Sequence, residues 1–181
     1  GSLLRKIPTN KVEQKPGIYF FKQLLSEHSE KPPTVNIHPK EDLAALQYTG
    51  GTTGIAKGAM LTHMNLVSNA IMCAEWLKGK QTEEVFLAVL PLFHIYGMTT
   101  GMNTPVYLAG TMVMLPRPGE PISTLKAIQE YRVTVFCGAP TMYAMLLAHP
   151  KVKTFDLSSV HFCISGSAPL PPEIQDRKAH V

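Results

Sequence analysis

In Tyr48-Thr49-Gly50-Gly51-Thr52-Thr53-Gly54-Ile55-Ala56-Lys57-Gly58, four glycines fall among three threonines and one lysine. Without a Cβ, Gly50, Gly51 and Gly54 let backbone N–H groups close on an anion. Thr49, Thr52 and Thr53 add hydroxyl donors, and Lys57 adds a cation past the turn. Together these make a nest for the phosphates of a nucleotide. The pattern is not a Walker A loop, which needs Ser or Thr directly after its lysine; here Gly58 stands in that place. On glycine content alone, a flexible Gly/Thr hairpin with a solvated lysine remains open.

Working outward, Leu43–Tyr48 is a short apolar run before the loop, read as a buried strand. Thr62 is a competent N-cap for a helix in which Leu66, Ala70, Ile71, Ala74 and Leu77 recur at three- and four-residue spacing, with Gly79 as its stop. Strand candidates follow at 85–90, 112–115, 133–137 and 160–164. Helix candidates lie at 96–108, 121–131 and 141–148, and a polar helix begins after Pro171-Pro172. Such alternation predicts an α/β fold, a largely parallel sheet with helices on both faces. Ligands then collect in loops at the carboxyl ends of the strands. Residues 1–41 carry Pro8, Pro16, Pro32, Pro33 and Pro39 and read as a connector with one short apolar element at 18–25. Residues 42–181 form the α/β part.

Composition narrows the classes. The 181 residues can hold one ordinary core, and 45% hydrophobic content with only 17% charge is oily for a soluble domain. The charge of +4 is scattered, without a basic run interleaved with aromatics, so nucleic acid is not an expected partner. Cys73, Cys137 and Cys163 are far apart and form no C-x-x-C pair, which argues against a zinc site or disulfide framework and for a reducing, cytoplasmic setting. Residues 85–116 hold no charge, but prolines, glycines and His94 break the run, so it is no spanning helix. Peripheral membrane contact stays open. Gly1-Ser2 reads as an appended dipeptide, and no secretory leader is recognisable after it.

Three further segments carry chemistry. Leu90-Pro91-Leu92-Phe93-His94-Ile95-Tyr96-Gly97-Met98 follows a strand and places an imidazole beside aromatic and apolar neighbours. Phe136-Cys137-Gly138-Ala139-Pro140 is a strand-to-helix turn, and Ser165-Gly166-Ser167-Ala168-Pro169-Leu170 is another, built of small residues. The string 46–66, with these segments in this order, resembles the acyl-adenylate-forming superfamily and is most similar to its long-chain fatty-acid–CoA ligase branch. Ala56 stands where proline is common in that family.

The resemblance implies ATP, Mg²⁺ and CoA as cofactor and co-substrates, with a fatty acid as the group activated. It implies that Thr49, Gly50, Gly51, Thr52, Thr53, Gly54 and the catalytic Lys57 hold the phosphates, with the Thr52 hydroxyl near the metal. Gly166, Ser167, Ala168 and Pro169 would border adenine. His94, Tyr96, Met98 and Gly138 would line the acyl pocket, Gly138 leaving room for an alkyl chain. The family's Y-G-x-T-E element, ribose-binding acid, hinge and C-terminal lysine are not found here, so the chain reads as a fragment without synthetase activity of its own. A peptide-synthetase adenylation domain and a non-catalytic nucleotide-binding fragment are the alternatives.

Overall fold

In the computed structural model of the chain, the described residues are 13, 15–31, 33–49, 56–116 and 119–178. The chain divides into two compact units, 1–37 and 38–181. The first carries the helix α1 (Phe21–Glu27), which buries none of its residues. Everything that follows concerns the second.

Two strands, β1 (Leu43–Thr49) and β2 (Lys57–Thr62), pair antiparallel, with Tyr48 opposite Gly58 and Thr49 opposite Lys57. This corrects the expectation of a buried strand. Leu46 is 56% and Tyr48 65% exposed, because β1 pairs only with its hairpin partner and the two strands form a separate sheet. Apolar alternation cannot reveal which sheet a strand joins. Strand β2 was not anticipated at all: its Lys-Gly-Ala-Met opening lacks the β-branched residues that mark a strand.

Helix α2 (His63–Leu77) follows at once. Asn65 N–H reaches the Thr62 hydroxyl at 3.3 Å, and Thr62 N–H reaches Asn65 Oδ1 at 3.0 Å, a reciprocal cap. Its C-terminal left-handed position is taken by Lys78 at φ 49°, not by Gly79. Gly79 is needed for packing instead, since a Cβ there would sit 2.6 Å from the Leu108 side chain.

The main sheet consists of β3 (Val85–Ala88), β4 (Thr111–Met114), β5 (Val135–Gly138) and β6 (Phe162–Ser165), all parallel in the order β4-β3-β5-β6. Alternate residues face opposite ways. Leu87, Val113 and Phe136 pack with α5 (Pro121–Tyr131) and α6 (Pro140–Ala148), through Leu125, Ile128, Tyr143 and Leu146. Phe86, Val135 and Cys137 pack with Ala74, Leu77 and Leu108 on the other face. A parallel sheet covered on both sides is thus what the alternating pattern predicts and what forms. At about 25 cal/mol per Å² of apolar area, these two layers supply the main stabilisation.

One helical run covers the second face: α3 (Ile95–Met98), a π-helical turn (Thr99–Asn103) and α4 (Thr104–Tyr107). Thr104 N–H bonds Thr99 O, five residues back. Pro105 next to it has no N–H for the regular ladder, and the run slips by one residue there. The last helix is α7 (Pro172–Lys178). Among the described residues, no helix is long and apolar enough to cross a membrane.

Candidate functional site

Loops leaving β3, β5 and β6 meet at the carboxyl end of the sheet. After β3, His94 N–H bonds Pro91 O at 3.0 Å, and Gly97 lies so close to the Pro91 carbonyl that no Cβ would fit. His94 caps α3: Tyr96 N–H donates to His94 Nδ1 at 3.2 Å. In the neutral ring this places the hydrogen on Nε2, which is left to donate outward. The hairpin is tied in here as well, since Gln47 Nε2 donates to Phe93 O at 3.3 Å.

Tyr96 joins this loop to the next. Its hydroxyl donates to Ile164 O at 2.9 Å, and a Cβ on Gly166 would come within 2.8 Å of its ring. Burial, with Cys137 nearby, pushes the phenol well above its ordinary range, so it stays a donor. Gly166 N–H in turn donates to Gly138 O at 3.1 Å. The Ser165–Leu170 loop is therefore pinned from two sides, with Ser167 in the left-handed region at φ 70° and Ala168 and Pro169 exposed.

Beneath these loops lies a cavity of about 530 Å³ with an almost wholly apolar wall. Four elements border it and leave it open to solvent: α2 with Asn69, Cys73, Trp76 and Leu77, the helical run with His94 to Thr104, the sheet with Phe86, Cys137 and Ile164, and the last loop with Ser167. Burial pushes the Cys137 thiol up to about 12, against a weaker opposing hydrogen bond from Thr100, so it is an inert apolar wall atom.

Of the residues expected around an acyl group, His94 and Tyr96 lie on this cavity, joined by Ser167 from the loop expected to border adenine. Met98 and Gly138 are not among its lining residues. A Cβ on Gly138 would press on the Tyr143 and Phe136 rings at 3.3 and 3.4 Å, so its missing side chain makes room for those aromatics rather than for an alkyl chain. Lys57 opens β2 instead of a helix, which is not how a P-loop kinase places its lysine. Thr49 closes β1; Gly50, Gly51, Thr52, Thr53 and Gly54 lie outside the described residues. Among the described residues, no group of three or more His, Cys, Asp or Glu could hold a metal ion. The contributions of α2 and of Thr99, Thr100 and Thr104 went unforeseen. Their one signal was the number of large apolar residues on α2, of which Met64, Val67, Met72 and Trp76 remain exposed beyond its buried Ala70, Ala74 and Leu77.

A doubly covered parallel sheet with its loops gathered over an apolar cavity, flanked by a Gly/Thr-rich hairpin, defines the class: the large α/β domain of an adenylate-forming enzyme. The chain belongs to the AMP-binding enzyme family, whose sequence model matches residues 4–180. It is 44% identical over 162 residues to the long-chain-fatty-acid–CoA ligase of Bacillus subtilis (strain 168), covering 88% of this chain and 29% of that protein. It is 35% identical over 178 residues to the probable 4-coumarate–CoA ligase 1 of Dictyostelium discoideum, covering 97% of this chain and 32% of that one. Among solved structures, the anthranilate CoA ligase AuaEII in complex with anthranoyl-AMP superposes with a TM-score of 0.79 at 26% identity, covering 94% of this chain and 33% of that chain. ATP-bound MatB from Rhodopseudomonas palustris superposes at 0.76 with 33% identity, covering 88% and 31%. The chain spans about a third of the length of these relatives.

Proposed function

We propose that this chain is the acyl- and phosphate-binding part of an ATP-dependent acid–CoA ligase of the long-chain fatty-acid type. The observation that carries this is the grouping of three strand-end loops over one apolar cavity, with His94 on its wall and the phosphate hairpin tied to the same loop through Gln47. The carboxylate oxygen of the acid attacks the α-phosphorus of ATP, giving acyl-AMP and releasing pyrophosphate. The thiol of CoA then attacks the acyl carbon, releasing AMP and leaving a thioester.

Each part has a task. His94 Nε2–H donates to the carboxylate and the cavity takes the acyl group, so that the nucleophile is positioned rather than chemically altered. Lys57 and the N–H groups of residues 49–54 offset charge on the phosphates. Gly166, Ser167, Ala168 and Pro169 form the edge against adenine, held in place by the Gly166 N–H bond to Gly138 O. Magnesium would meet the Thr52 hydroxyl beside the phosphates; no cluster of three His, Cys, Asp or Glu stands among the described residues, and no step is assigned to the metal. Support for a fatty acid comes from the 44% identical Bacillus relative, and for an aryl acid from the 4-coumarate relatives.

Pyrophosphate exchange tests this in a longer protein carrying the chain. Exchange should depend on added acid, with long-chain fatty acids ahead of aryl acids, while the 181 residues alone show none. Acid-independent ATP cleavage would sink the ligase reading, and faster exchange with aryl acids would sink the fatty-acid one.

A further inference from the structure

Two phenols converge on one carbonyl at the carboxyl end of the sheet. Tyr96, packed on the face that carries the cavity, donates to Ile164 O at 2.9 Å. Tyr143 comes from α6 on the opposite face, and its single hydroxyl proton is shared between Ile164 O and Phe136 O, each 2.8 Å away. The Gly138 N–H donates to the same hydroxyl, and the Tyr143 ring occupies the space that Gly138 leaves. Burial pushes this phenol well above its ordinary range, so it keeps its proton. A carbonyl oxygen has two lone pairs, and here a phenol meets it from each face of the sheet. The peptide between Ile164 and Ser165 is thereby held against rotation in either direction. The chain runs from that peptide directly into the 165–170 loop, where Ser167 takes φ 70°. A non-glycine residue keeps such a backbone only where its surroundings impose it.

We propose that Tyr143 is a positioning residue for the nucleotide: acting with Tyr96 through Ile164 O, it sets the 165–170 loop where adenine lies. The proposal rests on that loop being the edge against adenine, and adds a residue that does not line the cavity. A misplacement of about 1 Å, caused far from the chemistry, can cost on the order of a hundredfold. Adenine is held alike before and during the reaction, so a loosened loop raises the KM for ATP and spares kcat.

Pyrophosphate exchange in the longer protein carrying the chain reads this, with ATP and acid varied separately. Tyr143→Phe keeps the ring beside Phe136, 5.0 Å between centroids, and removes only the hydroxyl. It should raise the KM for ATP about tenfold, the loss of one buried hydrogen bond, with kcat and the KM for acid unchanged. Leu146→Ala destabilises the same helix but leaves the hydroxyl in place, and should leave the KM for ATP unchanged. In the unaltered protein, amide hydrogen exchange at Gly166 should be as slow as at Phe162, whose N–H bonds Thr134 O. Fast exchange at Gly166 overturns the proposal and needs no variant to fold. An unchanged KM for ATP in Tyr143→Phe overturns it too, as does a rise shared by the acid, accompanied by a lower kcat, or equalled in Leu146→Ala. Each of these leaves the ligase reading intact. No acid-dependent exchange in the unaltered protein removes that reading and the proposal with it.

Discussion

Replacing Gly166 with alanine tests how the last loop is held. The new methyl would lie 2.8 Å from two atoms of the Tyr96 ring, and that ring cannot tilt away while its hydroxyl is bound to Ile164 O at 2.9 Å. Either the loop lifts, straining the Gly166 N–H bond to Gly138 O, or the ring rotates and gives up its bond to Ile164 O. Overpacking costs about 1–3 kcal/mol and a lost hydrogen bond about 0.5–1.5 kcal/mol. Only part of each is incurred, so about 2 kcal/mol is expected overall. With a urea slope of about 2 kcal/mol per molar, the unfolding midpoint followed by far-ultraviolet circular dichroism should fall by about 1 M. The decisive comparison is a double-mutant cycle with Tyr96→Phe, which frees the ring while Ile164 O keeps the Tyr143 hydroxyl at 2.8 Å. In that background Gly166→Ala should cost less than about 1 kcal/mol. An unchanged cost in both backgrounds would refute the wedge between Tyr96 and Gly166.

At the opposite end of the sheet, the Glu84 carboxylate is 4% exposed, accepts Thr134 Oγ1–H at 2.6 Å and Lys80 N–H at 3.2 Å, and meets His161 Nε2 at 3.3 Å. Glu84→Gln should therefore lower stability by about 1–3 kcal/mol in the same urea assay, with acid binding at the cavity unaltered; an unchanged midpoint would contradict it. Cys137, raised by burial to about 12 from an ordinary value near 9, should resist iodoacetamide at pH 8 until urea unfolds the chain, as read by mass spectrometry. Its contribution to stability is complete below pH 9 and lost as pH rises through 12. The Asp156 carboxyl is lowered to about 2, first by hydrogen bonds from Ser158 and then by Arg132 at 2.6 Å. Its contribution should be present above the ordinary carboxylate range near 4 and lost as pH falls toward 2, and a carboxyl titration seen by NMR near 4 instead would exclude this pairing.

Much of this molecule is legible from local pattern. Pro121 and the spacing of Ile122, Leu125 and Ile128 mark α5 to its last residue, and Thr62 marks the start of α2, because caps and helical periodicity act within a few residues of chain. The Gly/Thr string, His94 and the Ser165–Leu170 turn point to their family for the same reason: nucleotide chemistry constrains a short segment. What the tertiary structure alone decides is which side of a strand, and which sheet, each residue serves. Leu43–Tyr48 has a strand's composition, yet it pairs outside the main sheet. Gly138 lies in the expected turn, yet its space is filled by Tyr143 from behind. Asn69, Trp76 and Thr104 come together only when α2 and the helical run close over β3 and β5. Local sequence specifies an element through its own backbone and neighbours, whereas a cavity wall is set by packing between residues tens of positions apart.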